Sequence, residues 1–326
     1  MNADNNKKFP CVGISIEGSI IRSVEIGVDS GKPKLLAVNE VEASNNLWDE
    51  IRSDSGDSDQ LLSYLNPVIK ALHETPNSIA IALDSKSAVI KVHLVDTGLP
   101  EEEKDEFIQW EARKRLGDSY GEYAVTIYPL IEEIPKFSKY LSVSVKSETI
   151  DLLNSICSSL DIPLEVIDVD IFAGINAVLF LNDKASSGRT SIMRYFDGEY
   201  AVTNLNDGEF INSSLYHKEK DGSTFILNSS VKDKDTEDII NSLSSDNLSD
   251  PLQIVDNIYI YQGATQGLLL KPLLEKNEES RISEVDPFSK IELGDDVDKE
   301  VLKENPARFT ETFGMAVRLL DNGENS

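Results

Sequence analysis

The chain opens with two strands joined by a tight turn, and the same order returns in its second half. Residues 11–16 and 20–28 alternate apolar side chains with the period of two that is typical of strands, and Glu17-Gly18-Ser19 separates them. Three further strands follow, with Asp-Gly or Asn-Asp-Gly turns between them, at 190–195, 200–205 and 209–216. Because Asp-Gly is a strong hairpin signal, the repeated order predicts an internally duplicated α/β fold with two lobes and a central cleft.

The rest of the chain supplies helices and further strands to this plan. Apolar spacing predicts helices over 59–73, 100–116, 148–160, 171–181 and 307–320, with a weak helix near 236–243. The remaining predicted strands are 34–41, 78–83, 87–95, 124–129, 139–145, 164–169 and 257–261. The elements between 86 and 161 interrupt the first lobe, which indicates an inserted α+β subdomain.

The length of 326 residues exceeds the usual size of a single core, which favours more than one domain. We therefore predict three parts. The first lobe takes residues 10–85, 162–185 and 306–321, the inserted subdomain takes 86–161, and the second lobe takes 186–305.

Charge and hydropathy exclude several classes of partner. The chain has 31 Lys and Arg against 58 Asp and Glu, a net charge of −27 that would repel nucleic acid and anionic lipid over most of the surface. No stretch approaches the roughly 20 apolar residues of a membrane span, so a cytoplasmic protein with no direct membrane span is expected. Cys11 and Cys157, each in an apolar pattern, are predicted to be buried free thiols of a reducing compartment.

Residues 12–26, with the sequence VGISIEGSIIRSVEI, resemble the first phosphate loop of actin-like ATPases, a superfamily with a ribonuclease H-like fold. Within it, the chain resembles the PilM proteins of type IV pilus assembly, most specifically at Val24-Glu25-Ile26. Further matches are, in order, Trp110-Glu111-Ala112, Val169-Asp170, Asp286-Pro287-Phe288, Pro306-Ala307-Arg308-Phe309 and Gly314-Met315-Ala316-Val317-Arg318. The order of these matches along nearly the whole chain carries the resemblance.

The first phosphate loop differs from the superfamily motif at the two positions that would carry its chemistry. Ser15 stands where the resemblance implies an Asp that holds Mg²⁺ through water, and Glu17 stands where it implies a glycine. Gly18 and Ser19 remain at the turn. Arg22 has two interpretations of equal weight, a phosphate contact and a surface ion-pair partner.

The other two nucleotide motifs depart as well. The second phosphate loop aligns with Arg194 at the Asp position and Phe196 at the glycine position, followed by Asp197 and Gly198, and the adenine-side motif keeps only Gly263 and Gly267. Since Arg cannot bind Mg²⁺ and Phe would fill the nucleotide's space, the three motifs together predict a pseudo-ATPase with no cofactor. The alternative, an active Mg-ATP-binding ATPase of pilus assembly or cell division, would require ATP and Mg²⁺.

Few other residues are candidates for chemistry or binding. Two roles are considered for Asp170. It could orient a water molecule for hydrolysis, but the better supported role is to cap the helix that follows. His73, His93 and His217 lack ligand spacing, so no metal site is predicted. Phe107, Trp110 and Glu111 are candidates for a partner groove, although packing within the core is the more favoured interpretation of either aromatic side chain alone.

The resemblance implies a scaffold. We expect an adaptor of a type IV pilus or type II secretion inner-membrane complex that binds the cytoplasmic tail of a bitopic membrane protein near the inserted subdomain. Such an adaptor would be cytoplasmic and peripheral to the inner membrane through its partner. The sequence leaves open whether the chain forms homo-oligomers.

Overall fold

The computed structural model describes residues 10–29, 31–47, 58–73, 75–196, 198–218, 224–231, 255–262, 280–295 and 297–322. Contacts between residues divide the chain into two compact units, each with its own large sheet. The first unit comprises Met1–Asp84, Glu148–Leu181 and Val285–Ser326, and the second comprises Ser85–Ser147 and Asn182–Glu284. The three-part division stays a prediction.

In chain order the strands are β1 (Cys11–Glu17), β2 (Ile20–Asp29), β3 (Lys32–Glu42), β4 (Ser78–Leu83), β5 (Ala88–Asp96), β6 (Tyr123–Ile134), β7 (Phe137–Lys146), β8 (Leu164–Val169), β9 (Arg189–Phe196), β10 (Glu199–Asn206), β11 (Glu209–Lys218), β12 (Thr224–Ser229), β13 (Asn257–Tyr261), β14 (Arg281–Glu284) and β15 (Glu292–Leu293). The α-helices of the described residues are α1 (Ser58–Lys70), α2 (Glu101–Leu116), α3 (Ser147–Ser159), α4 (Asp170–Leu181), α5 (Lys299–Glu304) and α6 (Thr310–Asn322).

The first unit is built on a six-stranded sheet in the order β15-β3-β2-β1-β4-β8. The first three strands of the chain form antiparallel hairpins, whereas β4 lies parallel to β1 and β8 parallel to β4. Five of the six residues of β4 are buried, as expected for a parallel strand covered on both faces.

Helix α6 packs closely against both β1 and α4 in the first unit. A Cβ atom at Gly13 would lie 2.6 Å from the Ala316 backbone nitrogen, and one at Gly314 would lie 3.1 Å from the Ala177 nitrogen. These two glycines therefore allow the helix backbone to approach its neighbours more closely than a side chain permits. The fully buried Phe313 anchors the same helix in the core.

The second unit repeats the arrangement with the order β12-β11-β10-β9-β13-β14. Strands β9, β10 and β11 are antiparallel hairpin partners, and β13 and β14 continue the sheet in parallel from β9. Its core includes Tyr200 and Tyr216, whose rings stack with centroids 4.7 Å apart. Strand order and strand directions are shared by five strands of each unit, so the predicted internal duplication is confirmed.

The second unit also contains a three-stranded sheet, β5-β7-β6, with α2 packed on it. Ile108 of α2 is buried against Val95 and Tyr140 of the sheet. Tyr140 also donates its hydroxyl proton to Glu101 at 2.8 Å, and this bond ties the start of the helix to the sheet.

Most predicted elements are present within a few residues of the expected bounds. The sequence patterns did not predict β12, β14, β15 and α5. All four have six residues or fewer. Strands β14 and β15 have only exposed side chains, so backbone pairing with a neighbouring strand specifies these two rather than an apolar pattern of their own. The weak helix predicted near 236–243 lies outside the described residues.

Candidate functional site

The candidate site is the hairpin of β1 and β2, which contains the residues that the sequence predicts to correspond to the first phosphate loop. Glu17 and Ile20 form its last strand pair, so the loop contains only Gly18 and Ser19. Gly18 has a φ of 59°, the positive value that the first loop position of a type II′ turn requires. The loop carbonyls are held in place, because Leu47 donates its N–H to Gly18 at 2.9 Å and Ala43 donates to Ser19 at 2.7 Å.

Three polar side chains lie in one row across the strands of this hairpin and β3. Ser15 is paired with Arg22, and Arg22 is paired with Glu40, so all three project from the same face of the sheet. Ser15 is buried, and its Oγ lies 2.6 Å from Oγ1 of Thr312 in α6. The hydroxyl at the Asp position of the superfamily motif is thus engaged with the last helix.

Arg22 joins the carboxylates on either side of it. Its Nη1 lies 2.7 Å from Glu17 Oε2 and its Nε lies 2.7 Å from Glu40 Oε2. Arg22 is 4% exposed and Glu17 is 6% exposed, so this pair is largely shielded from water. Arg308, just before α6, contacts the same Glu40 oxygen at 3.3 Å. Two cations and two carboxylates therefore form one connected cluster, which we call the hairpin ion cluster.

The electrostatics of Arg22 follow from this cluster. Burial alone would lower the pKa of the Arg22 guanidinium, but the charges and hydrogen bonds of Glu17 and Glu40 outweigh that effect and raise it. Arg22 remains charged and bound to its partners. The sequence predicts that Arg22 either contacts a phosphate or forms an ion pair at the surface. The ion pair is present, but it is buried.

The segment Val24-Glu25-Ile26, on which the predicted resemblance most specifically depends, has a structural role. All three residues are completely buried, and Glu25 Oε2 accepts the backbone N–H of His73 at 2.6 Å. This bond fixes the segment that follows α1 onto β2. A buried carboxylate that satisfies a backbone donor explains an acidic residue within an otherwise apolar strand.

The hairpin of β9 and β10 is the corresponding feature of the second unit. Phe196 and Glu199 are its last strand pair, and Arg194 precedes Phe196 by two positions, as Ser15 precedes Glu17. Arg194 is buried, and Gly198 in the loop has a φ of 79°. Asp197, Gly263 and Gly267 lie outside the described residues. The nucleotide-related roles given to both hairpins stay predictions.

Asp170 begins α4, and its Oδ1 accepts the N–H of the next residue, Ile171, at 2.6 Å. The two roles considered for Asp170 stay predictions. Two residues earlier, Asp168 forms an ion pair with Arg318 of α6 that the sequence did not predict. Burial raises the pKa of Asp168, and the nearby Arg318 opposes this rise. The pair ties α6 to the end of β8.

The candidate partner residues lie on the outward side of α2. Trp110 is 53% exposed and Phe107 is 37% exposed, so the interpretation of either ring as core packing is wrong. Glu111 is half-buried and lies 3.8 Å from Lys114 Nζ. Their role in binding a partner stays a prediction.

The remaining predicted features concern metal, membrane and thiols. Within the described ranges, no group of three or more His, Cys, Asp or Glu side chains could hold a metal ion. None of the helices in the described part of the chain has the length and apolar character needed to cross a membrane. His93 is buried and its Nε2 lies 2.7 Å from Ser142 Oγ. Cys157 is buried as predicted, whereas Cys11 is only partly buried.

No protein-family model matches this chain, and no curated protein matches it. Among solved structures it is similar to the PilM-PilN type IV pilus biogenesis complex, with a TM-score of 0.66 and 16% identity over 94% of this chain and 98% of that chain. It is also similar to the cytoplasmic domain of EpsL, an inner-membrane component of the type II secretion system of Vibrio cholerae, with a TM-score of 0.45 and 6% identity over 95% of each chain. A Bacteroides thetaiotaomicron protein with an actin-like ATPase fold gives a TM-score of 0.44 at 12% identity, over 88% of this chain and 95% of that chain.

At these identities the similarity concerns the fold. The chain has the duplicated actin-like fold that its sequence predicts, in the form shared with the PilM-PilN structure. The strand order of the two units independently agrees with that assignment.

Proposed function

We propose that this chain is an actin-like adaptor that binds the cytoplasmic tail of a single-span inner-membrane protein of a pilus or type II secretion assembly, without hydrolysing ATP. The fold shared with the PilM-PilN complex supports the adaptor role. The hairpin ion cluster supports the absence of hydrolysis, and it is the observation on which that part of the proposal rests.

The side chains of the hairpin favour contacts with each other over contacts with a nucleotide. Mg²⁺ prefers carboxylate oxygens, but the position that would supply one holds Ser15, whose hydroxyl is engaged with Thr312. A phosphate near Arg22 would compete with Glu17 and would meet the negative charge of that carboxylate. Nucleotide binding at this hairpin would therefore require the buried Arg22–Glu17 pair to open.

Titration with Mg-ATP tests the absence of nucleotide binding. A ligand present at one hundred times its dissociation constant stabilises a folded protein by about 2.7 kcal/mol, so micromolar binding would raise the melting temperature clearly at about 1 mM nucleotide. We expect no shift in the melting temperature and no heat in calorimetry. Specific micromolar binding would support the active Mg-ATPase instead.

A matched variant shows whether the hairpin itself is responsible. Ser15→Asp combined with Glu17→Gly restores both superfamily residues at the loop. If this double variant binds Mg-ATP and the natural chain does not, the hairpin side chains account for the difference. Circular dichroism of the variant first establishes that it folds.

A peptide titration tests the adaptor role separately. Labelled peptides covering the cytoplasmic tails of single-span inner-membrane proteins from the same genome are titrated with the full chain, with scrambled peptides as controls. We expect one tail to bind with micromolar affinity and excess Mg-ATP to leave that affinity unchanged. If every tail binds no better than its scrambled control, the adaptor proposal is wrong.

A further inference from the structure

The outward face of α2 carries a gradient of charge with aromatic rings at its centre. Glu103 and Glu106 lie in its first half, Phe107 and Trp110 in the middle, and Lys114 near its end, and all five side chains are exposed. The opposite side of the helix is buried through Ile108 and Ala112. Helical spacing of three and four residues places the five exposed side chains on one face, which we call the α2 face.

Local contacts hold the centre of the α2 face in a defined shape. The Phe107 and Trp110 rings have their centroids 6.1 Å apart, and the Lys114 ammonium lies 5.2 Å from the centroid of the Trp110 ring. An exposed tryptophan flanked by a second aromatic ring is typical of an interface centre rather than of ordinary surface. The face is thus already ordered for contact with a partner.

We propose that two copies of this chain associate through the α2 face with the helices antiparallel. Glu103 precedes Phe107 by four residues, and Lys114 follows Trp110 by four residues. In an antiparallel pair centred between Phe107 and Trp110, each Phe107 meets the Trp110 of the other copy. The same register places each Glu103 opposite a Lys114, so a single two-fold axis brings together the two aromatic rings and this pair of opposite charges.

The charge pattern favours a second copy over other occupants. An anionic membrane would be repelled by Glu103 and Glu106 and by the net charge of −27. A peptide tail would need an acidic part and a basic part at a spacing of eleven residues, about 16 Å of helix, to match both ends of the face. A second copy in the antiparallel register has this spacing, because its Lys114 and Glu103 lie opposite Glu103 and Lys114 of the first copy.

The contact should be weak. A single helix packed on its copy buries less than the roughly 1,200 Å² of a stable specific interface, so we expect a weak dissociation constant, between about 1 μM and about 0.1 mM. The like net charges of the two copies also repel each other at low salt. Measurements near 0.15 M salt, where the Debye length is about 8 Å, reduce that repulsion.

Sedimentation velocity of the full chain over a concentration series tests the proposal, with two single charge reversals as the decisive variants. Glu103→Lys places Lys opposite Lys in its own dimer, and Lys114→Glu places Glu opposite Glu. Neither variant should associate alone. Their mixture should associate about as well as the natural chain, because in the mixed dimer both contacts between positions 103 and 114 again join opposite charges.

Trp110→Ala provides a second test and should weaken association by at least about tenfold. Because Trp110 is exposed in the single chain, this variant should keep its thermal stability, which confirms that the loss arises at the interface. Glu165→Lys, an exposed reversal on β8 in the other unit, is the matched control and should leave association unchanged.

Three results would overturn the proposal. The natural chain could stay monomeric up to about 0.5 mM, a concentration several times higher than the largest dissociation constant expected for such a contact. The single reversals could associate as well as the natural chain, or their mixture could fail to associate. Finally, Trp110→Ala could abolish tail binding and leave self-association unchanged, which would assign the α2 face to the tail. The tail and nucleotide titrations of the natural chain stand independently of all three results.

Discussion

At the scale of residues, the hairpin of β1 and β2 is defined by charges that neutralise each other. Arg22 sits between Glu17 and Glu40, and Arg308 completes the hairpin ion cluster. A buried ion pair contributes little net stability compared with apolar packing. Removing one partner is nevertheless costly, because it leaves the other charge buried without a counter-charge. The cluster therefore holds the hairpin in one arrangement more than it adds to the free energy of unfolding.

Replacement of Arg22 should show how much the stability of the fold depends on this cation. Arg22→Met leaves the Glu17 carboxylate buried without its cation, and we expect the free energy of unfolding to fall by about 3 kcal/mol. The double variant Arg22→Met, Glu17→Gln removes the stranded charge and should recover most of the loss. Urea unfolding measures both. A loss below about 1 kcal/mol in the single variant would show that water reaches the pair and screens it.

The buried thiol of Cys157 gives stability a defined dependence on pH. Burial raises the pKa of Cys157 from 9.0 to about 11. Between these values the folded chain holds the proton more firmly than the unfolded chain does, so the free energy of unfolding should fall as pH rises from 9 to 11. Below pH 9 the contribution should be complete and constant.

Urea unfolding at about pH 8 and about pH 10.5 measures this effect, with Cys157→Ala as the comparison because it lacks the thiol. The natural chain should lose on the order of 1 to 2 kcal/mol more than the variant between the two pH values. Equal losses in both proteins would mean that the thiol ionises as readily in the folded state as in the unfolded state.

At the scale of elements, the hairpins could be predicted from sequence, whereas the contacts across them could not. Strand periodicity and turn residues locate β1, β2, β9 and β10 within one or two residues. Counting back from the Asp29–Lys32 pair would place Arg22 opposite Asn39. A bulge between Glu25 and Ile26 shifts the register by one residue and brings Glu40 there instead. No local pattern in the sequence marks this bulge.

The same limit applies to contacts that depend on the packing of distant elements. Thr312, Arg308 and Arg318 reach the site and its surroundings from the end of the chain, nearly 300 residues after Ser15. Of the two predictions for Trp110, a partner groove and core packing, the sequence favours core packing because large aromatic side chains are usually buried. The buried side of its helix is instead marked by Ile108 and Ala112, a narrow stripe that gives no clear apolar period among charged neighbours.

The packing of α6 on β1 should be intolerant of a single added methyl group. Gly13→Ala would place a Cβ 2.6 Å from the Ala316 nitrogen, and still nearer to the Thr312 carbonyl oxygen, both of which are backbone atoms. We expect a loss of about 3 kcal/mol or more in the free energy of unfolding, because the helix must move away from the strand. Thermal or urea unfolding measures the loss.

The control for this prediction is Gly121→Ala, since no atom lies within 4 Å of a Cβ at that position. Its free energy of unfolding should change by less than about 0.5 kcal/mol. If Gly13→Ala is equally mild, α6 and β1 are not in the close contact described.

At the scale of the whole molecule, the net charge of −27 is the dominant electrostatic property. It opposes both folding and self-association through repulsion at long range, whereas the ion pairs act over a few ångströms. These two contributions respond to salt with opposite signs. Salt screens the repulsion, which stabilises the fold, and also screens exposed ion pairs, which destabilises it slightly.

We expect the repulsion to dominate, so that the free energy of unfolding rises when sodium chloride is increased from about 0.02 M to about 0.3 M and the Debye length falls from about 20 Å to about 6 Å. The hairpin ion cluster is largely buried and should lose little over this range. A variant with Asp151→Lys and Glu165→Lys, both exposed, changes the net charge from −27 to −27 + 4 = −23 and should show a smaller rise with salt. Urea unfolding at each salt concentration measures the slope, and potassium chloride at equal ionic strength controls for specific ion binding. A free energy of unfolding that falls with salt would mean that local ion pairs, not the excess of carboxylates, govern the stability of this chain.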